Sequence, residues 1–495
     1  MPEQVLEAVI GLEIHVQLST RTKMFCGCEV SFGDEPNVHT CPICLAHPGV
    51  LPVPNEEAIR YALKIGLALD CEIAPRSIFH RKNYFYPDNP KAYQISQYDI
   101  PICGPGKLGD IRITRAHLEE DAAKTIHLGE SGRIHGSAAS LVDFNRGGTP
   151  LVEIVTEPDL RGAAEAAEWA RLLRLTVRRL GVSDVNMEEG SLRVDANVSV
   201  RPTGSEELGT KTELKNMNSF RFLQRGIEAE LERQRELIGA GGTVEQETLH
   251  FDPASGGLTS LRSKEEAHDY RYFPEPDLVA IAPSEAQIAA ARESLPELPA
   301  ARIARYEAEL GLDEAQARLL AGDPAQAAYF EEVLAATPTA AGAATGADSA
   351  VAEPRVVANW VTGDLTAALR AAERGEEDDA APIVPAAILA ELIGLTAAKT
   401  ISHGSARKVL AILVAEGGDP QAIVEREGLA QIGGDDGELA GIVAAAIEAD
   451  PDAAEQIRAG NGKAIGAIVG AVMRETKGRA DGGEVNRLIR EQLDV

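Results

Sequence analysis

The hydrophobic and polar positions of the chain change character near residue 290. Before that point, short β-branched runs such as Val9 to Val16 alternate with stretches rich in Gly, Pro and Asn, which is typical of strands joined by loops. Beyond Pro296 the chain is rich in Ala, Glu and Leu, as from Leu310 to Leu319, and this pattern indicates helices. The sequence therefore predicts an α+β protein whose strands are concentrated in its first part.

Two helices are predicted to interrupt the strand-rich part. One runs from Ala163 to Leu180 and ends at Gly181. The other runs from Phe220 to Ile238, with Ser219 as its N-cap. Both have an apolar and a polar face, and we interpret them as surface helices that cover a sheet.

The helical part contains an unusual insert and a separate tail. Residues 335–354 are mostly Ala, Thr, Gly and Pro, with too few large apolar residues to pack well, and we expect a mobile loop there. Short helices are predicted near the end over residues 436–449, 453–459, 464–475 and 483–493. They are expected to form a small compact module.

Length and composition are those of a globular protein. A chain of 495 residues is too long for one ordinary core and predicts roughly three structural units. Its 44% hydrophobic and 25% charged residues include no apolar run of about 18 residues that could span a bilayer. No secretory or transit-peptide pattern begins the sequence, so we expect a cytoplasmic protein without a membrane partner.

The charge of the chain is strongly negative but uneven. A formal net charge of −29 argues against general affinity for polyphosphates, because nucleic-acid binders usually need a basic surface. Basic residues are nevertheless concentrated in the first predicted helix and in the tail: Arg171, Arg174, Arg178, Arg179, Lys463, Arg474, Lys477, Arg479, Arg487 and Arg490. A local basic face on an acidic body can bind one RNA surface while the acidic excess discourages non-specific contacts.

Four cysteines form two close pairs, Cys26 with Cys28 and Cys41 with Cys44. Thiolates separated by such short turns can bind one ion tetrahedrally, and disulfides are not expected in the cytoplasm. The pattern favours a zinc site over the alternative of four unrelated reduced cysteines. Four protein ligands leave no open position for a substrate, so the zinc would be structural.

Carboxylates and histidine recur in three other segments. Glu13 and His15 lie two residues apart on a predicted strand and therefore share a face. The other two segments contain Glu119, Glu120 and Asp121 after His117, and Glu188, Glu189 and Asp195 around Arg193. Converging clusters of this kind suit Mg²⁺ bound together with ATP phosphates, whereas a Glu-Glu pair by itself is better explained as a solvated turn.

Cations and aromatic residues alternate in the segment from Arg81 to Gln97, which includes Lys82, Tyr84, Phe85 and Tyr86. Such a segment can pair with phosphates and stack on a base. A second polar run contains Lys211, Glu213, Lys215, Asn216 and Asn218. Composition is equally compatible with aromatic residues that pack in the core while the lysines solvate the edge.

Two expected kinds of motif are missing from the sequence. There is no G-x-x-x-x-G-K-[ST] loop, so an ATP site here would not be of the P-loop kind. There is also no Ser-Ser-Lys arrangement or cysteine nucleophile elbow that could release ammonia from glutamine. If ammonia is a substrate, another chain must produce it.

Several long segments together resemble one protein family, the B subunits of aspartyl/glutamyl-tRNA amidotransferases. These segments are 11–15, 81–97, 118–124, 143–151 and 187–193, and the resemblance extends over nearly the whole chain. It implies a catalytic cradle similar to glutamine synthetase over residues 1–293, a helical domain over 294–430, and a tRNA-binding tail module over 431–495. The insert at 335–354 is unlike the usual helical domain of the family.

The resemblance also implies a reaction and two partner subunits. ATP would phosphorylate the side-chain carboxylate of misacylated Glu-tRNA(Gln) or Asp-tRNA(Asn), and ammonia would then attack the acyl phosphate. An amidase, the A subunit of such complexes, would hydrolyse glutamine to supply the ammonia, and a small C subunit would clasp the two larger ones. The four-cysteine site occurs in only some members of the family, which favours a structural role.

Residue roles follow from the resemblance and from the chemistry of the clusters. The catalytic residues and Mg²⁺ ligands are expected among Glu13, His15, Glu120 and Glu189, with Glu119 and Glu188 as near alternates because neighbouring strand residues point in opposite directions. Contacts to ATP or the acyl group are expected from Lys82, Tyr84, Tyr86 and Arg193. Phosphate contacts to tRNA are expected from Lys463, Arg474 and Lys477.

Two other functions remain compatible with the sequence. One is a ligase that activates a small free acid such as glutamate with the same metal site and no tRNA. The other is a zinc-containing RNA-binding scaffold without catalysis, in which replacing Glu13 or Glu120 would leave activity intact. Which of Glu-tRNA(Gln) and Asp-tRNA(Asn) is the physiological substrate depends on the aminoacyl-tRNA synthetases of the cell.

Overall fold

A computed structural model of the chain describes residues 5–128, 137–263, 270–337, 352–372, 384–431, 437–459, 461–476 and 478–494. The chain forms two compact units, Met1–Ala300 and Ala301–Val495. Most of the insert predicted at 335–354 lies outside the described residues, as does Lys477. In the described part of the chain, no helix is both long and apolar enough to cross a membrane.

The described residues of the first unit form three β-sheets. Its strands are β1 Leu6–Gln17, β2 His80–Asn83, β3 Tyr93–Ser96, β4 Gly106–Leu108, β5 Ile111–Glu120, β6 Lys124–Leu128, β7 Ala139–Asp143, β8 Pro150–Thr156, β9 Leu192–Pro202, β10 Thr212–Met217, β11 Glu247–Phe251, β12 Leu258–Ser263 and β13 Phe273–Pro274. The large sheet has eight strands in the order β12-β11-β10-β9-β1-β8-β5-β4, while β13-β2-β3 and β6-β7 form two small sheets. Among the strands that the structure describes in the large sheet, β10 and β11 pair in parallel and all other neighbours pair antiparallel.

Four helices accompany these strands: α1 Glu56–Ala68, α2 Ala163–Leu180, α3 Phe220–Gly239 and α4 Glu285–Glu293. The predictions for α2 and α3 are confirmed. Gly181 ends α2 in the left-handed conformation at φ 66°, and the Ser219 hydroxyl caps α3 by accepting a hydrogen bond from the Phe222 amide. Only glycine adopts such a positive φ without strain, which explains why the helix stops there.

The large sheet has one apolar and one polar face. On β1 the buried residues Ile10, Leu12 and Ile14 alternate with Glu13 and His15, because successive side chains of a strand point to opposite faces. The apolar face shares one hydrophobic core with α2 and α3. The other face presents charged side chains, and it forms the candidate site described below.

The second unit is helical. Its helices are α5 Pro299–Leu310, α6 Glu314–Ala321, α7 Pro324–Ala336, α8 Pro354–Asn359, α9 Thr366–Ala371, α10 Ala386–Ala397, α11 His403–Glu416, α12 Pro420–Glu427, α13 Glu438–Ala449, α14 Pro451–Arg458, α15 Ile465–Glu475 and α16 Gly482–Leu493. A π-helical turn, Trp360–Leu365, joins α8 to α9, and a 3₁₀ turn, Gly462–Ala464, precedes α15. The described residues of this unit form two separate hydrophobic clusters, one up to Leu429 and one from Leu439 to Leu493.

Residues 310–319, an example of the composition that predicts helices, contain the junction between α5 and α6. Gly311 has a φ of 64°, and Asp313 caps α6 by accepting a hydrogen bond from the Gln316 amide at 2.9 Å. A left-handed glycine followed by an Asp N-cap ends one helix and begins another. The α+β class is confirmed, whereas the three-part division at residues 293 and 430 stays a prediction.

Candidate functional site

Four charged or titratable side chains form a row across the polar face of the large sheet. His15 of β1 lies opposite Arg193 of β9 and opposite Glu153 of β8, and Glu153 lies opposite His117 of β5. Directly opposite residues on antiparallel strands share a face and have neighbouring side chains. The strand order β9-β1-β8-β5 thus brings together residues that are far apart in the sequence.

Two histidines of this row flank two buried carboxylates. The Nε2 atom of His15 lies 3.6 Å from Glu153 Oε2 and 3.8 Å from Glu119 Oε1. The Nε2 atom of His117 lies 3.4 Å from Glu153 Oε2 and 3.8 Å from Glu119 Oε2. Burial alone would lower the pKa of His15, but its hydrogen bond to Glu153 and the charges of both carboxylates outweigh burial and raise it.

His15, Glu119 and Glu153 could hold a metal ion, since each offers one ligand atom and these atoms all lie within 4.8 Å of one another. Two buried carboxylates need a compensating positive charge. Imidazole nitrogen with carboxylate oxygen is a donor set that divalent cations accept. The residues present therefore fit a cation, and we call them the His15–Glu119–Glu153 cluster.

A second row of charged residues lies beside this cluster. Glu13 faces Asp195 across the β1–β9 pair and accepts a hydrogen bond from Asn197 at 2.8 Å. Lys215 of β10 lies 3.5 Å from Asp195 and 2.9 Å from Glu213. Burial and the nearby charge of Glu153 raise the pKa of Glu13. The row contains three carboxylates and one ammonium group, so only part of its negative charge is neutralised within the row.

Some members of both rows, among them Glu153 and His117 of the first and Glu13 and Lys215 of the second, line a cavity of about 270 Å³ that also has an aromatic wall. The wall includes Lys82, Tyr98, Tyr270 and Tyr272. The rings of Tyr98 and Tyr272 stack at 4.4 Å with an interplanar angle of 9°, and the Lys82 ammonium lies 4.9 Å from the centre of the Tyr270 ring. Burial opposes the charge of Lys82, but Glu119 and Glu153 outweigh it and raise the Lys82 pKa, so this side chain is a cation.

Asp121 follows the end of β5 near the same face. Its carboxylate accepts a hydrogen bond from Gln17 at 2.6 Å and lies 3.0 Å from Arg193 and 3.8 Å from Arg146. Burial raises the pKa of Asp121, but the charges of the two arginines outweigh that effect and lower it. This ion pair fixes the Arg193 guanidinium, and Arg193 lies directly opposite His15 on the neighbouring strand.

The four cysteines form the second cluster that could hold a metal ion, because the sulfurs of Cys26, Cys28, Cys41 and Cys44 lie within 4.8 Å of one another. The pKa of Cys44 falls to about 4, since its sulfur accepts a hydrogen bond from the Cys26 thiol and one from the Cys41 amide at 3.1 Å. A thiolate among closely spaced thiols is the donor set of a structural zinc site.

The segment between the two cysteine pairs is hydrogen-bonded to the loop that follows β7. The Asn37 amide donates to the Asp143 carboxylate at 3.0 Å, and the His39 amide donates to Asn145 Oδ1 at 2.9 Å. The same loop ends at Thr149, whose carbonyl accepts a hydrogen bond from the Asp121 amide at 2.8 Å. The cysteine cluster is thus connected through hydrogen bonds to the residue that holds Arg193.

The structure separates Glu120 and the Glu188–Glu189 pair from the cluster. The Glu120 carboxylate points away from the polar face, forms an ion pair with Lys91 and accepts a hydrogen bond from the Ile95 amide at 2.9 Å. Glu188 and Glu189 lie exposed in the turn before β9. The alternate residue Glu119 is the one that faces His15, because it lies one position from Glu120 and so on the other face.

The other residues predicted to contact ATP, the acyl group or tRNA differ in their exposure and lie in both units. Tyr84 is half-buried and packs edge to face on Tyr270, while Tyr86 is 48% exposed. In the second unit, Lys463 lies in the 3₁₀ turn and Arg474 near the end of α15, both exposed. Their roles stay predictions.

Glu153 is the member of the cluster that sequence reasoning missed. It lies inside the apolar run from Leu151 to Val155, and the only signal was a lone carboxylate within a buried strand. Acidic residues are almost never fully buried without a partner, so a charged residue in such a run indicates a site. His117 was noticed only as a neighbour of the acidic segment.

The first unit is thus a mixed-sheet domain whose acidic, histidine-containing face carries a polar cavity with an aromatic wall. Residues 8–289 match the model of the GatB/GatE catalytic domain, and residues 345–493 match the model of the GatB domain.

Sequence matches to curated relatives cover nearly the full chain. The B subunits of aspartyl/glutamyl-tRNA(Asn/Gln) amidotransferase from Geobacter sulfurreducens, Thermosynechococcus vestitus and Brevibacillus brevis are each 49% identical to this chain. The matches cover 98%, 99% and 99% of this chain and 99%, 96% and 99% of the respective relatives. The chain therefore belongs to the family of aspartyl/glutamyl-tRNA(Asn/Gln) amidotransferase B subunits, which confirms the resemblance found in the sequence, and it is one component of a tRNA-dependent amidotransferase.

Proposed function

We propose that the cavity on the polar face of the large sheet uses ATP to activate the side-chain carboxylate of a glutamyl or aspartyl group on tRNA. The observation that carries this proposal is that Glu153, a member of the His15–Glu119–Glu153 cluster, and the Lys82 cation line one cavity of about 270 Å³. A cation-binding cluster next to a fixed positive charge suits a triphosphate.

Two steps make up the proposed reaction. A carboxylate oxygen of the aminoacyl group forms a bond to the γ-phosphorus of ATP, and the bond from that phosphorus to the bridging oxygen breaks to release ADP. Ammonia nitrogen then bonds to the carbonyl carbon, the carbon–oxygen bond to phosphate breaks, and the nitrogen releases a proton. The product is an amide, with inorganic phosphate as the leaving group.

Residues of the chain can be assigned to these steps. His15, Glu119 and Glu153 would hold Mg²⁺, and this ion would offset the negative charge of the transferring phosphoryl group. Lys82 is placed to pair with a phosphate oxygen, and Arg193, held by Asp121, is placed to orient a carboxylate or phosphate at the edge of the cluster. Glu13 lies in the same cavity as a further polar contact.

The aromatic wall is a suitable surface for a nucleobase. Tyr98 is 46% exposed although it stacks on Tyr272, and both rings line the cavity that contains Lys82. Bases stack on aromatic rings with little dependence on sequence. We assign the adenine of ATP to this wall, with Tyr84 supporting it through its edge-to-face contact with Tyr270.

Other parts of the assembly complete the proposal. We assign structural Zn²⁺ to Cys26, Cys28, Cys41 and Cys44, and a fold similar to glutamine synthetase to the first unit. An amidase, the A subunit, would supply ammonia in the cytoplasm, and a small C subunit would join the two larger ones. The exposed Lys463 and Arg474, with Lys477, would contact phosphates of the misacylated tRNA.

The test uses the complete complex, ammonium chloride as the nitrogen source, and three acceptors: Glu-tRNA(Gln), Asp-tRNA(Asn) and free glutamate. We expect ATP-dependent release of phosphate and formation of the amide with at least one charged tRNA and not with free glutamate. Equal turnover on free glutamate would favour a small-acid ligase instead. Glu119→Gln should lose amidation while tRNA binding is kept, and full activity of that variant would favour a non-catalytic RNA-binding scaffold.

A further inference from the structure

His15 and His117 lie on the two strands that flank β8, face the same pair of carboxylates, and both present the Nε2 atom. His15 and His117 lie 3.6 Å and 3.4 Å from Glu153 Oε2, respectively. They also approach different oxygens of Glu119, with His15 at Oε1 and His117 at Oε2, each at 3.8 Å. Distance alone therefore does not decide which ring would supply a nitrogen ligand to a cation.

The other ring nitrogen of His117 has a defined partner. Arg115, two residues earlier on β5, donates its Nε–H to His117 Nδ1 at 3.4 Å. A guanidinium group has only donors, so Nδ1 must be the acceptor and carries no proton. The neutral ring then holds its proton on Nε2, the nitrogen that faces Glu119 and Glu153.

A protonated Nε2 has no lone pair left for a metal ion, but it can donate to a carboxylate. The contacts of Glu119 show how a hydrogen bond from His117 Nε2 would orient a carboxylate of the cluster. Glu119 Oε2 receives a hydrogen bond from the Ser96 hydroxyl at 3.1 Å and faces His117, so Oε1 is left towards His15. His117 itself is buried, with 3% of its surface exposed, so its ring is held in place beside these carboxylates.

We propose that His117 is a positioning residue that orients the Glu119 and Glu153 carboxylates through its Nε2–H, and that His15 is the imidazole ligand of the cation. Arg115 determines these two different roles of the histidines, because its hydrogen bond to Nδ1 of His117 leaves the ring proton on Nε2. The inference rests on the proposed function, because it takes the His15–Glu119–Glu153 cluster as the cation site. Outer partners of this kind typically raise metal affinity by about 10–100-fold.

The probe is Mn²⁺, added to the complete complex without ATP and followed by electron paramagnetic resonance. Titration gives the dissociation constant, and electron spin-echo modulation detects imidazole nitrogen bound directly to the ion. We expect a nitrogen signal in the wild type and its loss in His15→Gln. His117→Leu should keep the nitrogen signal but bind Mn²⁺ about 10–100-fold more weakly, whereas His117→Gln, whose amide can donate from a similar position, should bind nearly as the wild type does.

Three results would overturn the assignment or its basis. A nitrogen signal that persists in His15→Gln would make His117 the ligand, and this spectrum decides the point even if His117→Leu fails to fold. Wild-type affinity in a folded His117→Leu complex would remove the positioning role. A wild-type complex that binds no Mn²⁺ would remove the cation site altogether, while a complex that binds Mn²⁺ as expected but amidates without ATP would refute only the proposed reaction.

Discussion

The Arg81–Glu275 ion pair supports the wall of the cavity, and its removal has a magnitude that can be worked out from the structure. Arg81 of β2 donates to Glu275 in two parallel hydrogen bonds of 2.6 Å and 2.9 Å, and the Glu275 side chain is fully buried. The same guanidinium lies 3.4 Å from Asp277, whose side chain is 40% exposed. Lys82 follows Arg81 on the strand and points to the opposite side, towards the cavity.

Glu275→Ala would leave the Arg81 guanidinium without its buried partner. Breaking a buried ion pair from one side costs about 3–5 kcal/mol, and since Arg81 keeps 21% of its side chain in contact with water, we expect the lower end, about 3 kcal/mol. Asp277→Ala removes a longer contact to an exposed carboxylate and should cost at most about 1 kcal/mol. The two variants therefore form a matched pair on a single guanidinium.

Scanning calorimetry of the full chain measures this difference. For a unit of 300 residues, about 2 °C per kcal/mol predicts that Glu275→Ala lowers the melting temperature of the first unit by about 6 °C and Asp277→Ala by about 2 °C or less. The complex containing Glu275→Ala should also show a higher KM for ATP, because Lys82 shares β2 with Arg81. Equal melting temperatures for the two variants would refute the reasoning that burial decides the strength of this pair.

Three further outcomes are expected. Glu153→Gln should lower ATP-dependent amidation by more than about 100-fold, since about 3 kcal/mol of buried charge interaction is lost, while Glu188→Gln in its exposed turn should keep wild-type rates; similar rates in both would contradict the cluster. Cys44→Ser should lose zinc in elemental analysis and melt at a lower temperature, and an unchanged zinc content would argue against the four-thiol site. Lys463→Ala combined with Arg474→Ala should raise the KM for charged tRNA more than it lowers turnover and should flatten its salt dependence by about two phosphate contacts; an unchanged KM would remove the tail from the interface.

Much of the local structure could be predicted because it depends on residues close together in sequence. Helix α2 ends before Gly181 because glycine tolerates a positive φ, and α3 begins after Ser219 because the Ser219 hydroxyl caps the first turn. The alternation of β1 places Glu13 and His15 on one face whatever the neighbouring strands are. The cysteine spacing likewise predicted a compact cluster of thiols.

The membership of the charged cluster depended on which strands pair. Glu153 lies between His15 and His117 only because β8 is inserted between β1 and β5, and no local pattern of β8 specifies its neighbours. The choice of Glu119 over Glu120 has the same origin, since both faces of β5 are buried at that end and composition does not distinguish them.

The sequence by itself thus determined the class of fold, the family, the boundaries of α2 and the start of α3, and the sets of residues that share a face. Tertiary structure decided which of those sets meet, because cross-strand contacts join residues separated by more than a hundred positions and depend on strand order and register rather than on neighbours in the chain. Arg115 and His117 are two residues apart on β5, so their contact is local in the sequence. Glu153, the carboxylate that both histidines share, lies on a different strand and becomes their neighbour only in the folded sheet.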